Sequence, residues 1–202
     1  EAPLTWAASG GGFLWMGDAN GFLHRMDRGQ QIVSFKAHSQ AVRQVCPLRR
    51  HNILLTVGID EGDEERLKVW NVAKWSNKPT PLCYRSTPTG PVGQLASPVT
   101  CLFVDEGLQF LLFGHAAGQI QLLRGDITRD RQCKRHLVHT FPSPVTGLGL
   151  LLPSASHLSV PDVRNVYRDQ SQLQTPVIFA TSEQCIMSFT LGKKDEILCK
   201  VD

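Results

Sequence analysis

The chain has 202 residues, of which 42% are hydrophobic and 19% are charged, and its formal net charge at pH 7 is +3. This composition is typical of a soluble globular protein and excludes a disordered or a membrane protein. Such a small net charge does not by itself indicate a nucleic-acid partner. No apolar run approaches the roughly 20 residues of a membrane-spanning helix, and residues 1–4 lack the basic start of a signal peptide.

Six cysteines are spread along the chain, and none forms a Cys-x-x-Cys pair. Four of them lie inside apolar stretches that are typical of strands: Cys46, Cys101, Cys185 and Cys199. Cysteine behaves as a small hydrophobic residue when it is buried, and disulfide frameworks belong to oxidising compartments. The pattern predicts buried free thiols and a cytosolic protein. It also has no Asn-x-Ser/Thr glycosylation site.

The first unit, residues 4–38, contains four short apolar stretches at 4–9, 13–17, 22–26 and 32–35. Asn20-Gly21 separates the second stretch from the third, and this dipeptide is the strongest short signal for a β-hairpin. Alternating apolar stretches of this length, separated by Gly, Asp and Asn, are typical of antiparallel strands. The unit therefore predicts a four-stranded meander.

The second unit, residues 39–90, begins after Ala37-His38 and reaches Trp70-Asn71 through three apolar stretches. A small residue and His at the start, with Trp and an Asp-like residue near the end, is the layout of a WD-type repeat. Such a repeat forms one four-stranded propeller blade of roughly 40–45 residues. A Trp is too large to leave in water, so we expect Trp70 to pack between neighbouring blades.

The third and fourth units are residues 96–142 and 143–202. The same tetrapeptide stands near the start of each, as Ser97-Pro-Val-Thr and Ser143-Pro-Val-Thr. Each again contains four strand-like stretches. The fourth unit is interrupted by a polar insertion at 152–176, which has little apolar area to offset the entropy of ordering. We expect this insertion to be an exposed, mobile excursion.

Strand-like stretches with no intervening helical segment of 10–12 residues predict an all-β fold. The fold class is a WD-repeat-like β-propeller with about four blades visible. A flat array of four blades would leave two exposed edges, which natural proteins avoid, and propellers close on themselves with 4–8 blades typically. The sequence therefore predicts part of a larger propeller of about seven blades.

Two stretches carry a resemblance to a known family. Arg50-His-Asn-Ile-Leu-Leu-Thr-Val-Gly-Ile-Asp-Glu61, continuing to Leu67-Lys-Val-Trp-Asn71, and Gly125-Asp-Ile-Thr-Arg-Asp-Arg131 resemble the vacuolar protein sorting-associated protein 11 family. In that family a β-propeller precedes an α-solenoid and a RING-type zinc domain. The resemblance covers the propeller alone, so the family's zinc is not carried over. Trp70 is followed by Asn71 in place of the usual Asp.

The resemblance implies a function as well as a fold. Members of the family are core subunits of the HOPS and CORVET complexes, which tether endosomal and lysosomal membranes before fusion. The chain would then be a non-catalytic protein-interaction module of such a complex. Its partners would be other tethering subunits and membrane-associated proteins, and it would be cytoplasmic, peripheral on late endosome, lysosome or vacuole membranes.

Two groups of residues look briefly like metal sites. Cys133-x-x-His136-x-x-His139 fails because side chains alternate along a strand, so His136 should face away from the other two. The acidic run at 60–65 lacks the alternating acids and the twelfth-position Glu of a calcium loop. We expect a charged hairpin tip there. No metal and no cofactor is predicted.

The most basic stretch, residues 124–135, has no interleaved aromatic residue, which separates it from single-strand nucleic-acid binders. A solvated loop with internal Arg–Asp pairs is favoured, and a protein or lipid-headgroup contact is the functional rival. The candidate partner contacts are Arg129, Arg131, Lys134, Arg135 and, in the insertion, Arg164, Tyr167 and Arg168. No local catalytic motif is present. A propeller enzyme or small-ligand binder with a site at the central channel stays open as the alternative.

Overall fold

The regular structure consists of antiparallel four-stranded sheets that follow one another along the chain. The computed structural model describes residues 2–48, 51–73, 79–87, 97–129, 133–151, 177–191 and 197–201, the last range as backbone. Blade 1 contains β1 (Leu4–Gly10), β2 (Phe13–Asp18), β3 (Phe22–Met26) and β4 (Ile32–Lys36). Blade 2 contains β5 (Val42–Pro47), β6 (Ile53–Ile59), β7 (Glu65–Asn71) and β8 (Cys83–Ser86), with a 3-10 turn at Glu61–Asp63. Blade 3 contains β9 (Val99–Val104), β10 (Phe110–His115), β11 (Gln119–Arg124) and β12 (Lys134–Thr140). Blade 4 contains β13 (Val145–Leu151), β14 (Val177–Ser182), β15 (Ile186–Leu191) and β16 (Ile197–Val201).

Within each blade, every strand pairs with the strand that follows it in the chain, so each blade is a meander. The predicted all-β fold class is confirmed. The predicted hairpin at Asn20-Gly21 is also present, with Gly21 at a φ of +82°. A side chain at Gly21 would run into the backbone carbonyls of His38 and Gln40. Glycine is therefore required here both for its conformation and for the close approach of the chain.

The hydrophobic core lies between consecutive blades, as three clusters of buried side chains. One cluster joins blades 1 and 2, another joins blades 2 and 3, and another joins blades 3 and 4. Each blade thus buries a face against its neighbour, which is how a propeller covers the apolar faces of its strands. Trp70 is 2% exposed, and its ring meets that of Phe35 in blade 1 edge-on at 5.0 Å. The predicted burial of Trp70 between blades is confirmed.

A β-bulge recurs at one position in every blade. The pairing of the first strand with the second shifts register after Leu4, Val42, Val99 and Val145. A bulge leaves one extra residue out of the ladder and re-aims its side chain. The bulged residues are Thr5, Arg43, Thr100 and Thr146. Three of the four blades therefore place a threonine at this position, and blade 2 places an arginine.

A glycine opposite the bulge lets neighbouring blades approach closely. A Cβ atom at Gly17 in blade 1 would lie 2.6 Å from Cβ of Val42 in blade 2. A Cβ atom at Gly114 in blade 3 would lie 2.6 Å from Cγ1 of Val145 in blade 4. Real Cβ atoms do not approach other atoms this closely, so these contacts between blades depend on the missing side chain.

The bulge threonine ties the same pairs of blades together. The hydroxyl of Thr5 donates to the backbone carbonyl of Val42. The hydroxyl of Thr100 donates to the backbone carbonyl of Val145 at 2.6 Å. Blade 2 has Val57 at the position of the glycine and Arg43 at the position of the threonine. The junction of blades 2 and 3 therefore has neither the glycine nor the threonine hydroxyl at these positions. A cleft lies there.

One face of blade 1 has no blade packed against it within the ranges given above. Strand pairing places Leu4, Phe22 and Ile32 on this face, and these side chains are 59%, 38% and 57% exposed. The larger propeller of about seven blades stays a prediction. In the described part of the chain no helix is long and apolar enough to cross a membrane. The insertion at 152–176 lies outside the described residues.

Candidate functional site

The hairpin between β6 and β7 forms the projecting end of blade 2. Glu61 and Asp63 are exposed at its tip, and Gly62 and Asp63 have positive φ values of 73° and 57°. The backbone N–H of Asp60 donates to the carbonyl of Glu64 at 2.9 Å, which closes the turn. The sequence predicted a charged hairpin tip at 60–65; the hairpin is present, but its exposed acids are Glu61 and Asp63, because Asp60 and Glu65 are largely buried.

Behind this tip lies a chain of buried hydrogen bonds. Nε1 of Trp70 donates to Oγ1 of Thr56 at 2.9 Å, and that oxygen lies 2.9 Å from Nε2 of His38. Since the hydroxyl already accepts from Trp70, its own proton is directed to Nε2. The remaining ring nitrogen, Nδ1, therefore carries the imidazole proton and donates to Oδ2 of Asp60 at 3.3 Å.

Lys68 neutralises the buried carboxylate at the end of this chain. Its Nζ lies 2.8 Å from Oδ2 of Asp60 and donates to the carbonyl of Ala37 at 2.7 Å. The backbone N–H of Ser39 donates to Oδ1 at 2.9 Å. Burial would raise the pKa of Asp60, but the hydrogen bonds from Lys68 and Ser39 and the charges of its neighbours lower it overall.

The same arrangement keeps His38 neutral. Burial first, and then the charge of Lys68, lower the pKa of His38 to about 4, although Asp60 acts in the opposite direction. A neutral imidazole between a hydroxyl and a carboxylate is a fully satisfied buried group. The network therefore holds the hairpin tip against the body of blade 2, and its role is structural.

A cleft of about 120 Å³ opens beside this hairpin, between blades 2 and 3. The floor carries Glu65, the first residue of β7, whose side chain is 10% exposed. Its Oε2 accepts hydrogen bonds from the backbone N–H of Val99 at 2.9 Å and from the hydroxyl of Thr87 at 3.3 Å. The lining residues are Arg43, Ile59, Asp63, Glu64, Glu65, Thr87, Ser97 and Pro98.

The second oxygen of Glu65 has no hydrogen-bond partner among the described residues. The nearest cationic atom, Nε of Arg43, is 3.9 Å away, which is beyond hydrogen-bond distance. Burial raises the pKa of Glu65, and the hydrogen bond from Val99, the charge of Arg43 and the hydroxyl of Thr87 act against it. Burying a carboxylate oxygen without a hydrogen-bond donor costs free energy. Oε1 of Glu65 therefore has unused capacity to accept a hydrogen bond.

Three of the seven predicted contact residues lie at the outer edge of blade 3. Arg129 is exposed in the β11–β12 connection, and its Nε pairs with Oδ2 of Asp126 at 3.2 Å. Lys134 and Arg135 are exposed at the start of β12, the outermost strand of that blade. Arg85 of blade 2 donates to the backbone carbonyl of Arg129 at 2.9 Å. The other four, Arg131, Arg164, Tyr167 and Arg168, lie outside the described residues.

His136 was predicted to face away from Cys133 and His139, and for His139 this is wrong. His136 pairs with Leu122 and His139 with Ile120, two residues that share one face of β11, because β12 has a bulge between them. Both histidines therefore lie on the same face. Even so, the described residues contain no group of three or more His, Cys, Asp or Glu side chains placed to hold a metal ion.

Comparison with known proteins places the chain in a family. A sequence model of the family described as PEP5/VPS11 N-terminal matches residues 1–200. The chain belongs to the PEP5/VPS11 N-terminal family. The resemblance stated from the sequence is thus confirmed.

Named relatives in the VPS11 family come from distant organisms. Proteins named vacuolar protein sorting-associated protein 11 homolog from Mus musculus and Homo sapiens are each 38% identical over 165 residues, which is 81% of this chain and 17% of the relative. The homolog from Dictyostelium discoideum is 32% identical over 198 residues, 97% of this chain and 19% of the relative. The chain therefore spans less than a fifth of the length of these relatives.

Solved structures with the same fold have unrelated sequences. The WD40 domain of Toxoplasma gondii coronin superposes with a TM-score of 0.59 at 15% identity, covering 98% of this chain and 48% of that one. The computationally designed Ika4 protein gives 0.57 at 16% identity, covering 95% and 93%. Identities this low show the fold alone. The predicted WD-repeat-like propeller fold of this VPS11-family chain is confirmed.

The cleft of this VPS11-family chain was not predicted from the sequence. Glu65 was predicted to be part of a charged hairpin tip, and Arg43 was not among the predicted contact residues. One signal was available: the aligned valines Val42, Val99 and Val145 are followed by Arg43 in one repeat and by threonine in the other two. That difference marks blade 2 as the exception.

Proposed function

We propose that this chain is a non-catalytic protein-interaction module of a membrane-tethering complex of the HOPS or CORVET type. In this function it holds other subunits of the complex in place during vesicle-mediated protein transport and the fusion of endosomes with lysosomes or vacuoles. It works on the cytoplasmic side, peripherally attached to late endosome, lysosome or vacuole membranes.

The match to the PEP5/VPS11 N-terminal family over residues 1–200 is the observation that carries the proposal. The relatives are named for vacuolar protein sorting, and membership of a tethering complex follows from the resemblance described above. Because the chain is less than a fifth of those relatives, the proposal assigns it binding within a larger protein.

The geometry suits a protein partner. The exposed acids Glu61 and Asp63 project at one end of blade 2, and the exposed cations Lys134 and Arg135 line the outer edge of blade 3. Opposite charges displayed on separate surfaces favour orientation and fast association with a complementary partner. An outer strand with free backbone groups and charged side chains is available for contact and protected from self-pairing.

The test removes these four blades from the full-length protein. We expect a tagged full-length protein lacking residues 1–202 to lose co-purification of at least one tethering subunit and to slow delivery of cargo to the lysosome or vacuole. A second variant, Lys134→Glu with Arg135→Glu, asks whether the blade 3 edge is the contact surface. Unchanged co-purification and unchanged delivery without residues 1–202 would contradict the proposal.

A further inference from the structure

The junction of blades 2 and 3, where the cleft lies, differs from the two neighbouring junctions in the residues that join the blades. Blades 1 and 2, and blades 3 and 4, meet through a glycine that admits a valine and a threonine hydroxyl that bonds across. Blade 2 has Val57 and Arg43 at those two positions. The inner strands β5 and β9 contact each other less extensively than the inner strands at the other two junctions, and the cleft lies between these two blades.

The cleft has an excess of negative charge. Among the described residues that line it, Asp63, Glu64 and Glu65 are acidic and Arg43 is basic. Two of these acids are already engaged, since Glu64 accepts from Arg66 at 2.7 Å and Asp63 accepts from Gln40 at 2.7 Å.

Glu65 is the acid with capacity left over. One of its oxygens holds Val99 and Thr87, whereas Oε1 is buried and has no hydrogen bond within the described chain. A buried carboxylate in this state favours a cationic donor above any neutral one, because charge-assisted hydrogen bonds are about twice as strong. Arg43 is held too loosely to be that donor: its Nε is 3.9 Å away and its side chain is 42% exposed.

We propose that this cleft binds a lysine or arginine side chain of a protein partner, with Glu65 as the acceptor. The inference rests on the proposed interaction function and assigns it one contact. The incoming cation takes the place of Arg43 beside Oε1 and passes the exposed carboxylate of Asp63 on its way in. The cleft volume of about 120 Å³ suits the end of one long side chain and is too small for a folded element.

The affinity of the cleft for single amino acids is the direct test. Saturation-transfer difference NMR with the full-length protein is carried out with N-acetyl-arginine methylamide and N-acetyl-lysine methylamide as probes. N-acetyl-citrulline methylamide, which is nearly the shape of arginine without its charge, is the matched neutral probe. We expect at least one cationic probe to bind about tenfold more tightly than citrulline.

Three variants assign the binding to the cleft. Glu65→Gln keeps an acceptor for the N–H of Val99 and should remove the preference for the cationic probe, a loss of about tenfold. Arg43→Ala removes the competing cation and should tighten binding by roughly two- to fivefold. Glu61→Gln removes the same charge from the exposed hairpin tip, outside the cleft, and should change affinity by less than about twofold.

Equal binding of citrulline and arginine, or full affinity in Glu65→Gln, overturns the proposal. If Glu65→Gln does not fold, Arg43→Ala decides alone, and weaker binding in that variant also overturns it. The proposed function is tested separately. If tethering subunits co-purify with the protein but its cleft binds neither cationic probe, the proposed function holds and this inference is wrong. If the cleft binds a cationic probe through Glu65 but no tethering subunit co-purifies with the protein, only the proposed tethering function is wrong.

Discussion

Glu65 on β7 accepts a hydrogen bond of 2.9 Å from the backbone N–H of Val99, the first residue of β9. One carboxylate oxygen thus ties the third strand of blade 2 to the inner strand of blade 3. At the junction of blades 3 and 4 the corresponding link is a threonine hydroxyl at a β-bulge. The described blades are therefore joined by a carboxylate at one junction and by a threonine hydroxyl at another, and the cleft lies at the carboxylate junction.

The threonine link can be tested with an isosteric change. Thr100→Val removes the hydroxyl that lies within hydrogen-bond distance of the carbonyls of Val145 in blade 4 and Gly114 in its own blade. We expect a loss of about 1–2 kcal/mol in the free energy of unfolding of the complete propeller, measured with denaturant. Thr140→Val is the control, because Thr140 is exposed and lies at the end of the outermost strand β12, not on the inner strand β9. Equal losses in the two variants would contradict the link.

Close packing at the bulge predicts a steric effect at Gly114. A methyl group there would lie 2.5 Å from Sγ of Cys101 and 2.6 Å from Cγ1 of Val145. Overpacking of this kind costs about 1–3 kcal/mol, so we expect Gly114→Ala to lower the melting temperature of the complete propeller. Gly29→Ala should have little effect, because Gly29 is exposed and the nearest atom to its added methyl group is Oδ1 of Asp27 at 3.3 Å. A silent Gly114→Ala would show that the blades are not in contact there.

The buried network of blade 2 predicts a graded response at Trp70. Trp70→Phe keeps most of the apolar contact with Phe35 and loses the N–H that Thr56 accepts, at a cost of about 1–2 kcal/mol. Trp70→Ala should cost about 3–5 kcal/mol, since the space between the blades is left empty. Unfolding midpoints of the complete propeller measure both. A midpoint for Trp70→Ala within error of the wild type would contradict the blade assignment.

His38 makes stability depend on pH. Its pKa is about 4 in the folded protein and 6.5 in the unfolded chain, so the unfolded state binds the proton first as the pH falls. The stability from neutral His38 is complete above about pH 6.5 and is lost as the pH falls from there to about 4, by about 3 kcal/mol at most.

Asp60 and Glu65 also make the stability depend on pH, but their effects can be distinguished from that of His38. The lowered pKa of Asp60 acts below this window, and the raised pKa of Glu65 acts in the opposite direction, since it removes stability as the pH rises. His38→Gln should therefore be less stable than wild type at pH 7 but lose less stability between pH 6.5 and 4. Unfolding free energies at several pH values give the comparison, and parallel curves would contradict it.

The uncovered face of blade 1 predicts the behaviour of an isolated fragment. Leu4, Phe22 and Ile32 are exposed together there, and apolar patches of this kind drive association. We expect residues 1–202 alone to self-associate in size-exclusion chromatography, and Leu4→Glu with Ile32→Lys to reduce this. A sharp monomer peak with a cooperative melt for the unmodified fragment would show that the described blades need no further cover.

Much of this fold follows from local pattern in the sequence. Apolar stretches of strand length, Asn20-Gly21 at a hairpin, and repeated Ser-Pro-Val-Thr words place the strands, because strand pairing in a meander joins neighbours in the chain. The burial of Trp70 follows from its size. Membership of the family was predicted from sequence motifs such as Gly125-Asp-Ile-Thr-Arg-Asp-Arg131.

Contacts between blades were decided by the tertiary structure, because they join residues that are distant in sequence. Asp60 and Glu65 belong to one acidic run, yet a buried His and Lys surround the first and the start of blade 3 covers the second. A single bulge in β12 turned His136 and His139 onto one face, against the simple alternation of a strand. The cleft lies at the junction where Arg43 and Val57 occupy the positions that threonine and glycine have at the other two described junctions, a match that only the register of the paired strands establishes.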